Sequence, residues 1–273
     1  MQKIIRNFFL IISLALGSII TTKAQETSYQ KKTDISYTSN MDAYSKERCK
    51  LDIYYPSNKK DFITVIWFHG GGLTAGNKEL PSYLMGKNIA VVGVGYRLSP
   101  KAKVKDIIND ASDAVKWTFD NIESLGGSKN KIVISGMSAG AYLSLMLSLN
   151  QEYLNKRGLS PNDLFGVVSF SAQTITHFTA RKEQGRDELL PSVDNLAPLY
   201  WVRKDVPRTL LITGGRELEM MGRYEENAYL LRMLKLHGNK NVELFELDGY
   251  GHNMDYPAFP LFINALNKWS KQP

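Results

Sequence analysis

Lys131-Ile132-Val133-Ile134-Ser135-Gly136-Met137-Ser138-Ala139-Gly140-Ala141-Tyr142-Leu143-Ser144-Leu145-Met146-Leu147-Ser148-Leu149 decides the fold. Its start, Lys131–Ser135, is a short apolar run of the kind that forms a strand buried on both faces. Its end, Ala141 to Leu149, is apolar almost all round, as a buried helix is. Between them lies G-x-S-x-G, which turns a strand sharply into a helix. A serine at such a turn sits in a strained backbone with its hydroxyl raised above the sheet, at a helix start that favours developing negative charge. Side chains two residues before and after it collide with the neighbouring strand and helix, so Gly136 and Gly140 are both glycine. Ser138 therefore reads as a nucleophile.

Outward from this turn the chain alternates strand and helix. Eight strands are expected: Asp34–Thr38, Lys50–Tyr55, Ile63–Phe68, Ile89–Gly95, Lys131–Ser135, Gly166–Phe170, Thr209–Thr213 and Val242–Leu247. Helical spacing recurs in Ile107, Ile108, Ala111, Ala114, Val115, Phe119 and Ile122, then around Ala228, Leu231 and Leu234, and last in Phe262, Leu266 and Trp269. This order predicts an α/β protein with a mostly parallel eight-stranded sheet and helices on both faces. Residues 25–33 are polar and read as loose. Residues 172–204 form too long a connection for a plain loop and read as a short cap or lid insertion.

A hydrophobic fraction of 43% supports one large core, and 273 residues suit one such domain over residues 25–273. Residues 1–24 read as a signal peptide: Lys3 and Arg6, then an apolar run from Phe8 to Ile20, then Thr22-Lys23-Ala24. Its removal takes three basic residues and lowers the net charge from +7 to +4. The expectation is a secreted or periplasmic protein without stable membrane insertion after cleavage. The remaining bias is spread along the chain and makes no nucleic-acid patch. Cys49 is the single cysteine, so no internal disulfide is possible.

The strand Ile63–Phe68 ends in His69-Gly70-Gly71-Gly72. Acyl transfer needs donors aimed where a carbonyl oxygen becomes anionic, and glycine lets backbone N–H groups come close. Gly71, Gly72 and Ala139 are the candidate oxyanion donors. His69 reads as structural. Among four histidines, His252 lies in the loop after the strand Val242–Leu247, Asp248-Gly249-Tyr250-Gly251-His252, and is the candidate base. His237, before Gly238, reads as a helix end. The acid belongs after the strand Thr209–Thr213, where Glu217 is the first candidate and Glu219 the alternative.

Taken together, His69-Gly70-Gly71-Gly72, Gly95-Tyr96-Arg97-Leu98-Ser99-Pro100 and Gly136-Met137-Ser138-Ala139-Gly140 resemble the hormone-sensitive-lipase-like branch of the α/β-hydrolase superfamily, with its compact carboxylesterases and related xylan and feruloyl esterases. The resemblance runs over residues 34 to 270. It implies the α/β-hydrolase fold, a Ser/acid/His triad and an acid three residues after a strand-ending glycine, which Gly214 and Glu217 match. The family usually has Asp there, so Glu217 departs from it. The resemblance also makes Asp110 structural. The implied activity is a serine carboxylesterase on short-chain acyl or carbohydrate-linked acetyl or feruloyl esters, with no cofactor and no metal. Rival readings are an amidase, formamidase or peptidase with the same triad, and a non-catalytic binding protein on the same fold.

Overall fold

The computed structural model describes residues 26–40 and 42–271. The expected signal peptide, residues 1–24, lies outside the described residues. The eight strands are β1 (Tyr29–Ser36), β2 (Lys50–Pro56), β3 (Phe62–Phe68), β4 (Ala90–Val94), β5 (Gly127–Met137), β6 (Gly166–Phe170), β7 (Thr209–Gly214) and β8 (Val242–Leu247). The helices are α1 (Ala43–Arg48), α2 (Val104–Asn121), α3 (Ala139–Leu149), α4 (Gln151–Asn155), α5 (Phe178–Glu183), α6 (Arg223–Leu236) and α7 (Asp255–Ser270). The sheet order is β1-β2-β4-β3-β5-β6-β7-β8. The pairs β1–β2 and β2–β4 are antiparallel, and all the others are parallel.

The strands expected from apolar runs fall where the sequence puts them, to within a few residues. β1 differs. The polar stretch expected to be loose begins pairing at Tyr29, and the strand ends at Ser36 rather than Thr38. β1 is an edge strand with one exposed flank, so ladder hydrogen bonds hold it where no apolar pattern does. Its register shifts between Lys32 and Ile35, where Asp34 takes a positive φ of 56°. Tyr29 stacks on Tyr54 of β2 with ring centroids 4.8 Å apart.

Alternate residues of each central strand feed two cores. Ile66, Phe68, Val92 and Ile134 pack under α2 and α3. Val65, Trp67, Val133, Val168 and Ile212 pack against Phe262, Leu266 and Trp269 of α7 on the other face. Every residue of α3 is buried, which explains its lack of a polar face. Among the described residues no helix is long and apolar enough to cross a membrane.

One buried polar contact ties the end of β4 to α2. Asp110 is 3% exposed and accepts from Arg97 Nε at 2.8 Å, Arg97 Nη2 at 2.7 Å and the Arg97 backbone N–H at 3.2 Å. This fixes Tyr96 beside the loop after β3. Removing one partner strands the other in a desolvated place, which typically costs several kcal/mol. Asp110→Ala is expected to lower the unfolding free energy by about 3 kcal/mol, measured by urea denaturation at neutral pH.

Candidate active site

The turn from β5 into α3 is set by space. A Cβ on Gly140 would lie 1.9 Å from the Phe68 carbonyl oxygen, and one on Gly136 would lie 2.5 Å from both that oxygen and the Gly140 backbone. Only a chain bare at both positions brings the two strand ends and the helix start this close. Ser138, between them, has φ 54° and ψ −112°, a conformation costing about 1–3 kcal/mol for a non-glycine residue. Its N–H donates to the Phe170 carbonyl at 2.8 Å, which ties the turn to the end of β6. Ser138 is 8% exposed at the amino end of α3.

The loop after β3 wraps beside this turn. Gly71 has φ 109°, and a Cβ there would meet the Ala75 carbonyl oxygen at 2.3 Å. Among the described residues, no acceptor takes the N–H of Gly71, Gly72 or Ala139. The loop is pinned from three sides. Tyr96 Oη donates to the His69 carbonyl at 2.6 Å. The Arg48 guanidinium donates to the Gly76 carbonyl at 2.7 Å. Thr179 Oγ1 donates to the Gly72 carbonyl at 2.5 Å. His69 stacks on Tyr96 at 4.1 Å, and its Nδ1 lies 2.6 Å from the Gly70 carbonyl. Burial pushes its pKa down to about 4, so it stays neutral and braces the loop.

The loop after β7 makes a single turn. The Gly215 carbonyl accepts from the Leu218 N–H at 2.9 Å and the Glu219 N–H at 2.8 Å. This places residue 217 at the exposed crest and returns residue 219 to the sheet. Spacing from Gly214 favours Glu217, and here the structure corrects it. The Glu219 side chain is fully buried, and its Oε1 lies 2.7 Å from His252 Nδ1. Glu217 is exposed and lines a shallow surface pocket with Arg216 and Glu246. A three-residue offset counted along the chain takes no account of a turn that reverses it.

Glu219 also accepts from the Gly214 N–H at 3.0 Å and the Met220 N–H at 2.9 Å. Burial works to raise its carboxyl. Hydrogen bonds from His252, Met220, Ser171 and Gly214 outweigh burial and hold it at about 2. An ionised carboxylate facing Nδ1 makes that nitrogen the protonated one and leaves Nε2 able to accept a proton.

Ser171 is a residue the sequence reading missed. Its Oγ lies 3.0 Å from His252 Nδ1 and also bonds Glu219. It is fully buried with φ 51°. The Ile212 carbonyl accepts its N–H at 2.7 Å, and Arg223 Nη1 donates to its carbonyl at 2.6 Å. The one available signal was its position directly after β6. Ser138, Phe170, Ser171, His252 and Glu219 thus form one connected chain of contacts across the carboxyl ends of β5 to β8. His177, the fourth histidine, is buried and caps α5 through Nδ1, which accepts from the Thr179 N–H at 3.2 Å. His237 ends α6 as expected.

The BD-FAE family model matches residues 51–217, more than half of the chain. The chain belongs to the BD-FAE family. The venom carboxylesterase-6 of Apis mellifera is 36% identical over 137 residues, covering 42% of this chain and 24% of that protein. The chain spans 18 to 32% of the length of the curated relatives it matches. Among solved structures, a truncated carbohydrate esterase from gut microbiota superposes with a TM-score of 0.73 at 19% identity, covering 91% of this chain and 99% of that one. An inhibited esterase B from Lactobacillus rhamnosis gives 0.71 at 22% identity, covering 89% and 88%. These likenesses establish the α/β-hydrolase fold.

A carboxylate whose pKa is depressed on folding adds stability above its unfolded value, 4.5, and loses it as pH falls towards 2. Glu219→Gln is therefore expected to lower unfolding free energy at pH 7 by up to roughly 3 kcal/mol. The gap between variant and wild type should narrow steadily between pH 4.5 and pH 2 in urea titrations. A gap independent of pH in that window would show that Glu219 is not held ionised.

Proposed function

We propose that this protein is a serine carboxylesterase working through Ser138, His252 and Glu219. One observation carries the reading: a buried, ionised Glu219 is bonded to Nδ1 of the loop histidine, and Phe170 and Ser171 join that pair to a serine held in a strained strand-to-helix turn. His252 Nε2 takes the proton from Ser138 Oγ as that oxygen attacks the ester carbonyl. The N–H groups of Gly71, Gly72 and Ala139 stabilise the oxyanion of the tetrahedral intermediate. His252 then gives the proton to the leaving alcohol, and the C–O bond breaks to leave an acyl-serine. Water attacks this ester with His252 again as base, releasing the acid and restoring Ser138. Glu219 keeps the histidine in the working tautomer and stabilises the imidazolium.

Residues 172–204 act as a small cap in this reading. Phe178 of α5 packs against Gly72, where a Cβ would approach its ring to 2.9 Å, so the insertion meets the loop after β3. The substrates proposed are short-chain acyl esters and carbohydrate-linked esters, and the relatives' names lend support. Export to the periplasm or beyond fits such substrates and rests on residues 1–24.

A fluorophosphonate probe is expected to label the wild type and spare Ser138→Ala; an unlabelled wild type overturns the reading. On p-nitrophenyl acetate, Glu219→Ala is expected to lose roughly 10³-fold or more in kcat, and Glu217→Ala less than about twofold. Equal losses in the two variants would remove Glu219 from the triad. An amide analogue in the same assay tests the competing amidase reading.

A further inference from the structure

Behind Ser171 the start of α6 faces the segment 171–181, and side-chain bonds join the two. Arg223 Nη1 donates to the Ser171 carbonyl at 2.6 Å, and Asn227 Nδ2 donates to the Ala172 carbonyl at 2.8 Å. Glu226 Oε2 accepts the N–H groups of Thr174 at 2.7 Å and Ile175 at 3.3 Å. Arg223 is 0% exposed. Among the described residues, its Nε and Nη2 have no hydrogen-bond partner.

Those two nitrogens form one edge of the guanidinium, with parallel N–H groups spaced for two oxygens of a single group. Elsewhere in the chain the same edge is filled. Arg97 Nε and Nη2 hold both oxygens of Asp110, and Arg216 Nε and Nη2 hold both of Glu246. The acids near Arg223 are engaged otherwise. Glu226 is bonded to the backbone of Thr174 and Ile175, and Glu219 to His252, Gly214 and Met220.

More donors without an acceptor come from α5. His177 is 0% exposed, and its Nδ1 accepts from the Thr179 N–H, so the ring proton sits on Nε2. Among the described residues that Nε2 is unpaired. Arg181, one helical turn on and 2% exposed, gives Nη1 to the Leu190 carbonyl at 2.6 Å and leaves Nε unpaired. Burial first, then the charges of Arg223 and Arg181, hold His177 well below its usual pKa and keep it neutral. Burial also lowers the Arg223 pKa, Glu226 and Glu219 raise it, and Arg181 lowers it further. The two guanidiniums and the imidazole thus stand within reach of one another's charge.

The cluster is rich in donors and cationic, and a buried charged donor left unpaired costs more than a neutral one. A water on the Arg223 edge brings two hydrogens that need acceptors of their own. Asn227 Nδ2 is turned to the Ala172 and Arg223 carbonyls, which leaves Oδ1 as the one unpaired acceptor on that turn of α6. An anion with two oxygens on one side brings no hydrogen, takes both N–H groups and offsets the charge. We propose that the free edge of Arg223, with His177 Nε2, is a binding site for a small planar oxyanion of the carboxylate class, enclosed between α6 and the segment 171–181. The proposal goes beyond the esterase reading and does not depend on it. The occupant also steadies the guanidinium that holds Ser171, whose Oγ lies 3.0 Å from His252 Nδ1.

Thermal unfolding tests this. The protein is dialysed overnight at neutral pH and equal ionic strength against graded sodium formate, sodium nitrate or sodium chloride. Formate and nitrate should each raise Tm saturably, by about 4 °C at about ten times Kd, and chloride, a single-atom acceptor, by much less. Arg223→Lys keeps the charge without the two-pronged edge and should abolish the formate shift. His177→Phe removes one neutral donor and no charge, and should weaken formate about tenfold. No formate shift in the wild type overturns the proposal, as do equal shifts in all three salts or a formate shift that survives in Arg223→Lys. If Arg223→Lys does not fold, a crystal structure of the wild type grown in formate decides. A planar two-oxygen group on Arg223 Nε and Nη2 upholds the site, and water alone on that edge overturns it.

Discussion

The close approach of Gly140 to the Phe68 carbonyl is the contact on which the site depends. It brings the end of β3, the end of β5 and the start of α3 to one point. The strain at Ser138 is tolerated because α3 is buried on all sides and β5 is paired on both edges. A rigid surround of this kind keeps a sparsely populated conformation in place. The same contact sets the loop after β3 beside the serine, since that loop starts one residue beyond Phe68. Ser138 and the loop after β3 are therefore positioned by one piece of backbone packing.

The histidine side is organised by charge and burial. Glu219 is ionised in a place that desolvation alone would make unfavourable, and four hydrogen bonds reverse the balance. Two of the donors are backbone N–H groups, from Gly214 and Met220. The carboxylate is thus held by the turn that delivers it, before the histidine is counted. Ser171 closes the gap between this acid and the end of β6, and Arg223 holds Ser171 from behind. A carboxylate fastened this way cannot swing away from Nδ1, which gives the imidazole one tautomer and one orientation.

The loop after β3 has its own scaffold, separate from the Glu219–His252 pair. Tyr96, Arg48 and Thr179 come from β4's end, α1 and α5, and each bonds a different carbonyl of the loop. Their donors occupy the loop's carbonyls at His69, Gly76 and Gly72. Arg97 and Asp110 stabilise this scaffold indirectly by anchoring the segment that carries Tyr96.

Much of this was legible in the residues alone. Apolar runs placed β2 to β8 because strands buried on both faces leave no polar alternation to blur them. G-x-S-x-G identified the turn at Ser138 because steric exclusion acts between near neighbours in the chain. His252 was singled out from four histidines by its loop after the last strand, and the structure pairs it with Glu219. β1 was misplaced because an exposed edge strand is stabilised by backbone pairing, which leaves little mark on side-chain pattern. The partner of His252 was beyond the sequence for a related reason. Glu217 and Glu219 are alike in type and lie in one short loop; only the turn closed at Gly215 sends one to solvent and the other under the imidazole. Ser171 likewise carries no signal beyond its position directly after β6, since the side chains it meets come from the loops after β7 and β8. Local sterics and burial patterns are written in the chain, whereas the pairing of polar groups from different loops is decided only when the sheet brings those loops together.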